Sequence, residues 1–288
     1  MKLPMLKMEG RSGCRLEVFS HDGVFRIRKF SKDRDYDARL MLQAKKQEAF
    51  FLQQTGNLRT PEVLRVNQSK EGVWFEMPYL HGYKYSEFFD RASIIQVRQL
   101  GDRLLSYLFD EFNKAVPGNL DPAVFHNKLA ALHGLLINRK DLDHHLVSTC
   151  LAHLKQLPSD TFPAGKCHGD MTFSNMIFCD EVIYLVDFLD SFIDSPLMDL
   201  VKLRQDTAFY WSLHMDTDLP AYRHSKIIQV FEYLDQRLTE GLREKQELIN
   251  WYNYLQVFNF VRILPYVSEM ADIQFVQHAL HKLVPIKS

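Results

Sequence analysis

The sequence predicts an α+β chain in two lobes: an N-terminal lobe with an antiparallel sheet and one main helix, and a larger, mostly helical C-terminal lobe. Three observations carry that prediction. Apolar–polar alternation runs through residues 14–30 and returns before residue 78, helical periodicity takes over from Ser86, and one compact hairpin interrupts the helices near residue 180. The 288 residues suffice for one large domain or two smaller ones, and 46% hydrophobic with 25% charged residues is the balance of a globular protein. A net charge of −1 lacks the basic excess of a nucleic-acid binder, so no nucleic-acid partner is expected.

Arg15-Leu16-Glu17-Val18-Phe19 alternates, His21-Asp22-Gly23 turns, and Val24 to Phe30 alternates again, which makes a β-hairpin. Ahead of it, Gly10-Arg11-Ser12-Gly13 reads either as an ordinary turn or as a loop over phosphates, with Ser12 and Gly13 as contacts. In the second strand Phe25, Ile27 and Lys29 share a face. A lysine on an apolar face must find an anion or reach solvent, so Lys29 is a candidate to grip phosphate. A shifted register would give that role to Arg26 or Arg28, and an edge strand would turn the lysine outward.

Residues 38–54 have helical composition, closed by Gly56 and Pro61. Glu48 within them is either the partner of Lys29 or a surface residue three positions from Lys45. Residues 61–66 and 73–77 read as strands about the turn Lys70-Glu71-Gly72. Pro78-Tyr79-Leu80-His81-Gly82 then breaks the pattern, either as a plain linker or as a segment whose backbone bonds a flat base while Met77 and Tyr79 touch it. The expected organisation is a lobe over 1–78, a hinge over 79–85 and a helical lobe over 86–288. In that last part Ser86 is a candidate cap of a short helix, and helices are expected over 94–115, 123–137, 142–157, 197–211, 224–243 and 245–283, the last broken at Pro265. Trp251, Tyr252, Tyr254, Phe258 and Phe260 read mostly as core.

No apolar run reaches the eighteen residues of a membrane span, and Lys2, Lys7, Glu9 and Arg11 interrupt any secretory-leader pattern. The four cysteines have no metal-type spacing and read as reduced thiols. A cytoplasmic location without a membrane span is therefore expected; oligomeric state is not encoded in any pattern.

The chemistry concentrates in Cys167-His168-Gly169-Asp170-Met171-Thr172-Phe173-Ser174-Asn175, followed by the hairpin 176–186 and by Asp187-Phe188. An Asp, an Asn five residues on and an Asp behind a short apolar strand form a layout for phosphoryl transfer. Asp170 can orient an attacking hydroxyl and accept its proton. Asn175 and Asp187, at the two ends of one hairpin, can hold the Mg2+ that neutralises ATP's phosphates. Asp190, Asp194 and Asp199 follow in a loop broken by Pro196; they can draw a cationic acceptor or cap helices, and Asp199, beside a helix start, fits a bracing role.

With these residues in place the chain resembles the aminoglycoside phosphotransferase and choline kinase group, the small-molecule branch of the protein-kinase-like fold. The resemblance rests on His168-Gly169-Asp170 with Asn175, on Asp187-Phe188 and on Asp199-Leu200, with weaker support from Lys29, Glu48 and the Met77–Gly82 segment. It implies a bilobal kinase-like fold with ATP as co-substrate, Mg2+ on Asn175 and Asp187, and Asp170 as the catalytic base. Lys29 and Glu48 would be the phosphate-gripping pair, and His168 and Asp199 would support the catalytic loop. Gly169 where protein kinases carry Arg, Leu189 where they carry Gly, and the lack of Ala-Pro-Glu point away from protein acceptors. The expected partner is a small-molecule hydroxyl acceptor: a sugar-like alcohol, an amino alcohol or an aminoglycoside. A catalytically weak or inactive kinase-like binding module is the alternative, and a protein kinase stands behind it.

Overall fold

The alternating residues near the N-terminus fold into a meander because their periodicity of two offers one apolar face to a helix. In the computed structural model, which describes residues 6–9, 13–54, 56–70, 72–118, 120–191, 193–243 and 245–284, strands β1 (Leu6–Glu9), β2 (Arg15–His21), β3 (Val24–Phe30), β5 (Arg65–Ser69) and β6 (Gly72–Pro78) form one antiparallel sheet in the order β1-β2-β3-β6-β5. Helix α1 (Asp37–Gln53) covers one face. Its Leu40 and Ala44 pack with Cys14, Tyr36, Val73, Phe75 and Met77 in a core that Ile27, Met41 and Val63 extend.

The other face of that sheet is a charge ladder. Glu17 lies opposite Arg28, Arg28 opposite Glu76, and Glu76 opposite Arg65, so charges alternate across four strands. Arg28 bonds the Glu76 carboxylate through both Nε (3.0 Å) and Nη2, and its guanidinium lies over Trp74 and Phe19, 4.3 and 4.7 Å from the ring centroids. Arg15 lies over Phe30 at 4.1 Å. Alternating charges and cation–π stacking let this face do without an apolar cover.

By compactness the chain divides into two units. The first comprises Met1–Tyr107, His168–Ile193 and Ser212–Val230; the second comprises Leu108–Cys167, Asp194–Trp211 and Phe231–Ser288. This division differs from the boundary at residues 79–85 expected from the sequence, and strand pairing gives the reason. The two-residue strand β4 (Leu58–Arg59) pairs in parallel with β10 (Val182–Leu185), which pairs antiparallel with β9 (Met176–Cys179). Tyr83 and Phe178 exchange backbone bonds of 2.9 and 3.0 Å. Helix α2 (Tyr85–Arg91) seals this junction, with Phe88 stacked on Phe178 at 4.2 Å. Gly82 makes the approach possible: a Cβ there would stand 2.5 Å from Cys179 Sγ. Ser86 is buried inside α2 instead of capping it; the Lys84 N–H donates to the Glu87 carboxylate at 3.3 Å, so the helix begins one residue ahead of Ser86. Helix α3 (Ile94–Lys114) starts in this unit.

The second unit is helical apart from the short pair β7 (Val116–Gly118) and β8 (Phe162–Ala164). It holds α4 (Pro122–Leu136), α5 (His144–Leu154), α6 (Pro196–Thr207), α9 (Ile249–Ile263) and α10 (Met270–Leu283). α7 (Trp211–His214) and α8 (Ala221–Arg243) run across the division of the chain. α9 is its axis: Trp251, Tyr252, Tyr254, Phe258 and Phe260 are all buried, as expected for core. Buried tips find partners, Tyr254 Oη on the Leu154 carbonyl and Trp251 Nε1 on that of Asp160, both at 2.7 Å. Arg204 of α6 forks onto Asp235 at 2.9 and 3.0 Å and donates to Tyr252 Oη at 2.6 Å. The helix expected over 197–211 stops at Thr207, because Tyr210 takes a left-handed backbone (φ +62°) that cannot continue it.

Candidate active site

The loop from His168 to Asn175 is organised by its own side chains. Asn175 sits in a short 3₁₀ turn (Phe173–Asn175) at the mouth of β9, and its Nδ2 donates to the Asp170 carbonyl at 2.8 Å and to the Asp170 carboxylate at 2.9 Å. One amide thus fixes both the backbone and the side chain of Asp170. Its N–H groups are spent there, which leaves Oδ1 as the atom able to coordinate a cation.

His168 is fully buried and works through its backbone neighbours. Its Nδ1 accepts from the Asp170 N–H at 3.2 Å and its Nε2 lies 2.8 Å from the Val186 carbonyl. Those two partners require the neutral Nε2–H tautomer. Burial pushes its pKa down to about 4, against the pull of Asp170 and Val186, and the Lys46 charge adds to the fall. His168 therefore ties the Asp170 loop to the strand that leads into Asp187. The Leu189 N–H to His168 carbonyl bond (3.1 Å) and the Val186 N–H to Asn175 carbonyl bond (3.0 Å) add two more stitches.

Asp187 has a left-handed backbone, φ +61°, rare for a residue other than Gly, Asn or Asp. Its side chain remains 47% exposed, and Oδ1 receives Lys29 Nζ at 3.0 Å. Lys29 itself is buried. Burial works against its charge, yet the charge and hydrogen bond of Asp187 hold the ammonium pKa above its ordinary value. A buried cation facing a half-exposed carboxylate can bind an anionic oxygen and a metal ion side by side.

The helix partner of Lys29 differs from expectation. Lys29 Nζ donates to Gln43 Oε1 at 3.3 Å, and Gln43 Nε2 donates to Tyr36 Oη at 3.0 Å, which fixes the amide's orientation. Glu48 is exposed. Five residues turn the helix by about 140° from Gln43 to Glu48, so the two cannot share the face that meets the sheet. The expected Lys29–Glu48 pair is thus replaced by Lys29–Gln43. Polar amides at 43 and 47, in step with Leu40, Ala44 and Phe50, were the signal of a buried polar face.

Met77 is buried in the core beside α1, where Gln47 Nε2 approaches its sulfur at 3.7 Å, and is not an exposed surface for a base. The Tyr79 N–H is committed to the Phe25 carbonyl at 3.1 Å, so its ring, 38% exposed and edge-on to Phe25 and His81, is what it can offer. Gly13 is exposed with φ +75°; Ser12 lies outside the described residues. Asp199 is fully buried in the first turn of α6, whose N-cap is Ser195, and its charge acts on Lys166 in the same unit. Asp194 accepts from Cys167 Sγ at 3.3 Å, and Asp190 is exposed. Arg26 and Arg28, the alternatives to Lys29, both turn to Glu76 on the charge ladder.

Residues 23–228, which include Lys29, the Asp170 loop and Asp187, match the family model of the phosphotransferase enzyme family. The chain belongs to this family. The match agrees with the resemblance carried by the 168–200 block, and phosphotransfer to a small molecule is the activity that membership supports. No functionally curated protein matches the sequence. Among solved structures, a thermostable mutant of aminoglycoside phosphotransferase APH(4)-Ia in its apo form superposes with a TM-score of 0.63 at 13% identity, over 98% of this chain and 94% of that one. A GDP complex of a mutant aminoglycoside 2′-phosphotransferase-IIIa gives 0.56 at 14% identity (98% and 91%). Amicoumacin kinase hAmiN with AMP-PNP, Ca2+ and Ami gives 0.55 at 12% identity (98% and 90%). These likenesses establish the kinase-like α+β fold of the chain. No helix among the described residues is long and apolar enough to cross a membrane.

Proposed function

We propose that the chain transfers the γ-phosphate of ATP to a hydroxyl of a small molecule, with Asp170 as the base. The observation that carries this reading is the Asn175 amide, which clamps the Asp170 carboxylate while Lys29 engages Asp187 across the same unit. Asp170 accepts the hydroxyl proton as that oxygen attacks the γ-phosphorus in line; the bond from phosphorus to the β–γ bridging oxygen breaks and ADP departs. Lys29 holds the phosphates, and the pinned carboxylate lowers the barrier chiefly by orientation. His168 keeps the loop in register, and Asp199 is assigned a bracing role on the strength of its burial.

The donor set fits Mg2+, which takes hard oxygens and shares one or two protein ligands with substrate phosphates. Asp187 and Asn175 Oδ1 would hold it. Among the described residues no group of three or more His, Cys, Asp or Glu offers an all-protein metal cage. When bound, the ion supplies positive charge against the phosphates. The nucleotide and Ca2+ named for hAmiN, and the GDP named for the 2′-phosphotransferase, support a purine nucleotide with a divalent cation. For the acceptor, a sugar-like alcohol stands ahead of amino alcohols and aminoglycosides.

The test is nucleotide consumption with Mg2+ across panels of sugars, amino alcohols and aminoglycosides, using ATP and GTP in parallel. At least one acceptor is expected to stimulate consumption, and Asp187→Asn to reduce it by about 10³-fold or more. Turnover retained in Asp187→Asn would remove the metal assignment, and incorporation of phosphate into protein alone would remove the small-molecule acceptor.

A further inference from the structure

The face of α1 that meets the site carries three residues at helical spacing, 43, 46 and 50. Gln43 takes the Lys29 ammonium. Phe50 packs edge-on against Phe188, ring centroids 4.8 Å apart. Between them Lys46, half-buried, donates from Nζ to the Leu189 carbonyl at 3.1 Å. Leu189 is two residues beyond Asp187, and its own N–H is bound to the His168 carbonyl. Leu189, which closes the turn after Asp187, is therefore held at its N–H by the Asp170 loop and at its carbonyl by α1.

That turn needs holding. A left-handed conformation costs Asp less free energy than it costs bulkier residues, but it still has a cost and persists when the surroundings over-determine it. Asp187 is the residue in that conformation, and it presents the exposed carboxylate. A carboxylate on α1 beside Lys29 would have offset the lysine's charge; a neutral amide leaves the charge to Asp187 and the phosphates. The Lys46 ammonium of α1 goes instead to the backbone of the metal loop, at the Leu189 carbonyl.

We infer that Lys46 is a positioning residue for Asp187: through the Leu189 carbonyl it fixes the turn that presents the carboxylate to the metal–nucleotide. The inference rests on Asp187 as a metal ligand for ATP. The role assigned to Lys46 and Leu189 involves no contact with the reacting atoms.

The experiment compares ATP binding by calorimetry, with and without Mg2+, for the full chain and for Lys46→Met and Lys46→Arg, alongside their melting temperatures. No acceptor is needed. Mg2+ is expected to tighten ATP binding to the parent chain. In Lys46→Met metal-free ATP binding should stay within about twofold, while the Mg2+-dependent gain falls about tenfold, the usual cost of losing an outer partner of a metal ligand. Lys46→Arg, which can still donate to the carbonyl, should recover most of that gain. A Mg2+ gain in Lys46→Met equal to the parent's overturns the inference while leaving the site reading intact. A parent chain with no Mg2+ gain overturns the reading itself, and the inference with it. If Lys46→Met fails to fold, Lys46→Gln takes its place with the same criterion, and a gain equal to the parent's again overturns the inference.

Discussion

Arg28 and Lys29 are chain neighbours that the pleat sends to opposite faces of one sheet, and each meets a carboxylate. Glu76 is buried beneath Arg28, with Arg26 3.8 Å from its other oxygen and its position set by strand register. Asp187 arrives from 158 residues away in sequence, on a turn, with its carboxylate half exposed. In the first pair the carboxylate is buried and the guanidinium is 27% exposed, so its anion is closed to a ligand and the pair serves the fold. The second has one buried and one open partner, so the open one can be shared with a ligand. What marks the functional pair is which partner is open: the Asp187 carboxylate is exposed over a buried lysine, where the Glu76 carboxylate is buried beneath its arginine.

The sharpest way to break this comparison is Lys29→Met against Arg28→Met. Lys29→Met should lower turnover by about 10²–10³-fold, with a shift in melting temperature of only a few degrees. A chain that keeps its turnover would place the phosphate contact elsewhere. A smaller effect comes from the fixed side of the site. Buried neutral His168 titrates near 4 in the fold against an ordinary 6.5. Between those values the unfolded chain binds a proton that the folded chain does not, so stability is lost as pH falls from about 6.5 towards 4, by roughly 3 kcal/mol in all. Urea midpoints over that range measure it, and His168→Gln should flatten the slope. Arg28→Met should cost about 2 kcal/mol in the same assay, because it leaves buried Glu76 with only the longer Arg26 contact and its cross-strand neighbour Arg65, while turnover per folded molecule is retained. Loss of turnover there would erase the distinction between the two faces. Smallest of all, Glu48→Ala should change both stability and turnover by less than about 0.5 kcal/mol, since that side chain is exposed.

What could be read from the sequence follows the reach of each interaction. Asp170, Asn175 and Asp187 lie on a single loop and hairpin, so their spacing already places them together. Lys29 was legible because period-two alternation set it on an apolar face. Its helix partner was not, since which turn of α1 meets β3 is decided by packing, and a carboxylate outranks an amide when only chemistry is weighed. Strand β4 escaped for a related reason: two residues have no period, and their pairing with β10 is written in neither segment alone. The left-handed turns at Asp187 and Tyr210 carry no glycine to announce them. The aromatics of α9, by contrast, were read as core because nothing but burial suits so many rings on one helix.

The parallel pairing of β4 with β10 also has a consequence for how the chain is made. Residues 58–59 leave the ribosome long before residues 182–185, and at about 5–20 residues per second the interval is on the order of ten seconds. During that time the sheet and α1 can form, but among the described residues made by then Lys29 has Gln43 alone to receive its ammonium. The buried charge is paired once Asp187 emerges, so vectorial synthesis sets a delay between folding of the sheet and completion of the site. Chains truncated near Tyr107 should therefore be less stable than the intact unit, even though they contain the whole five-stranded sheet.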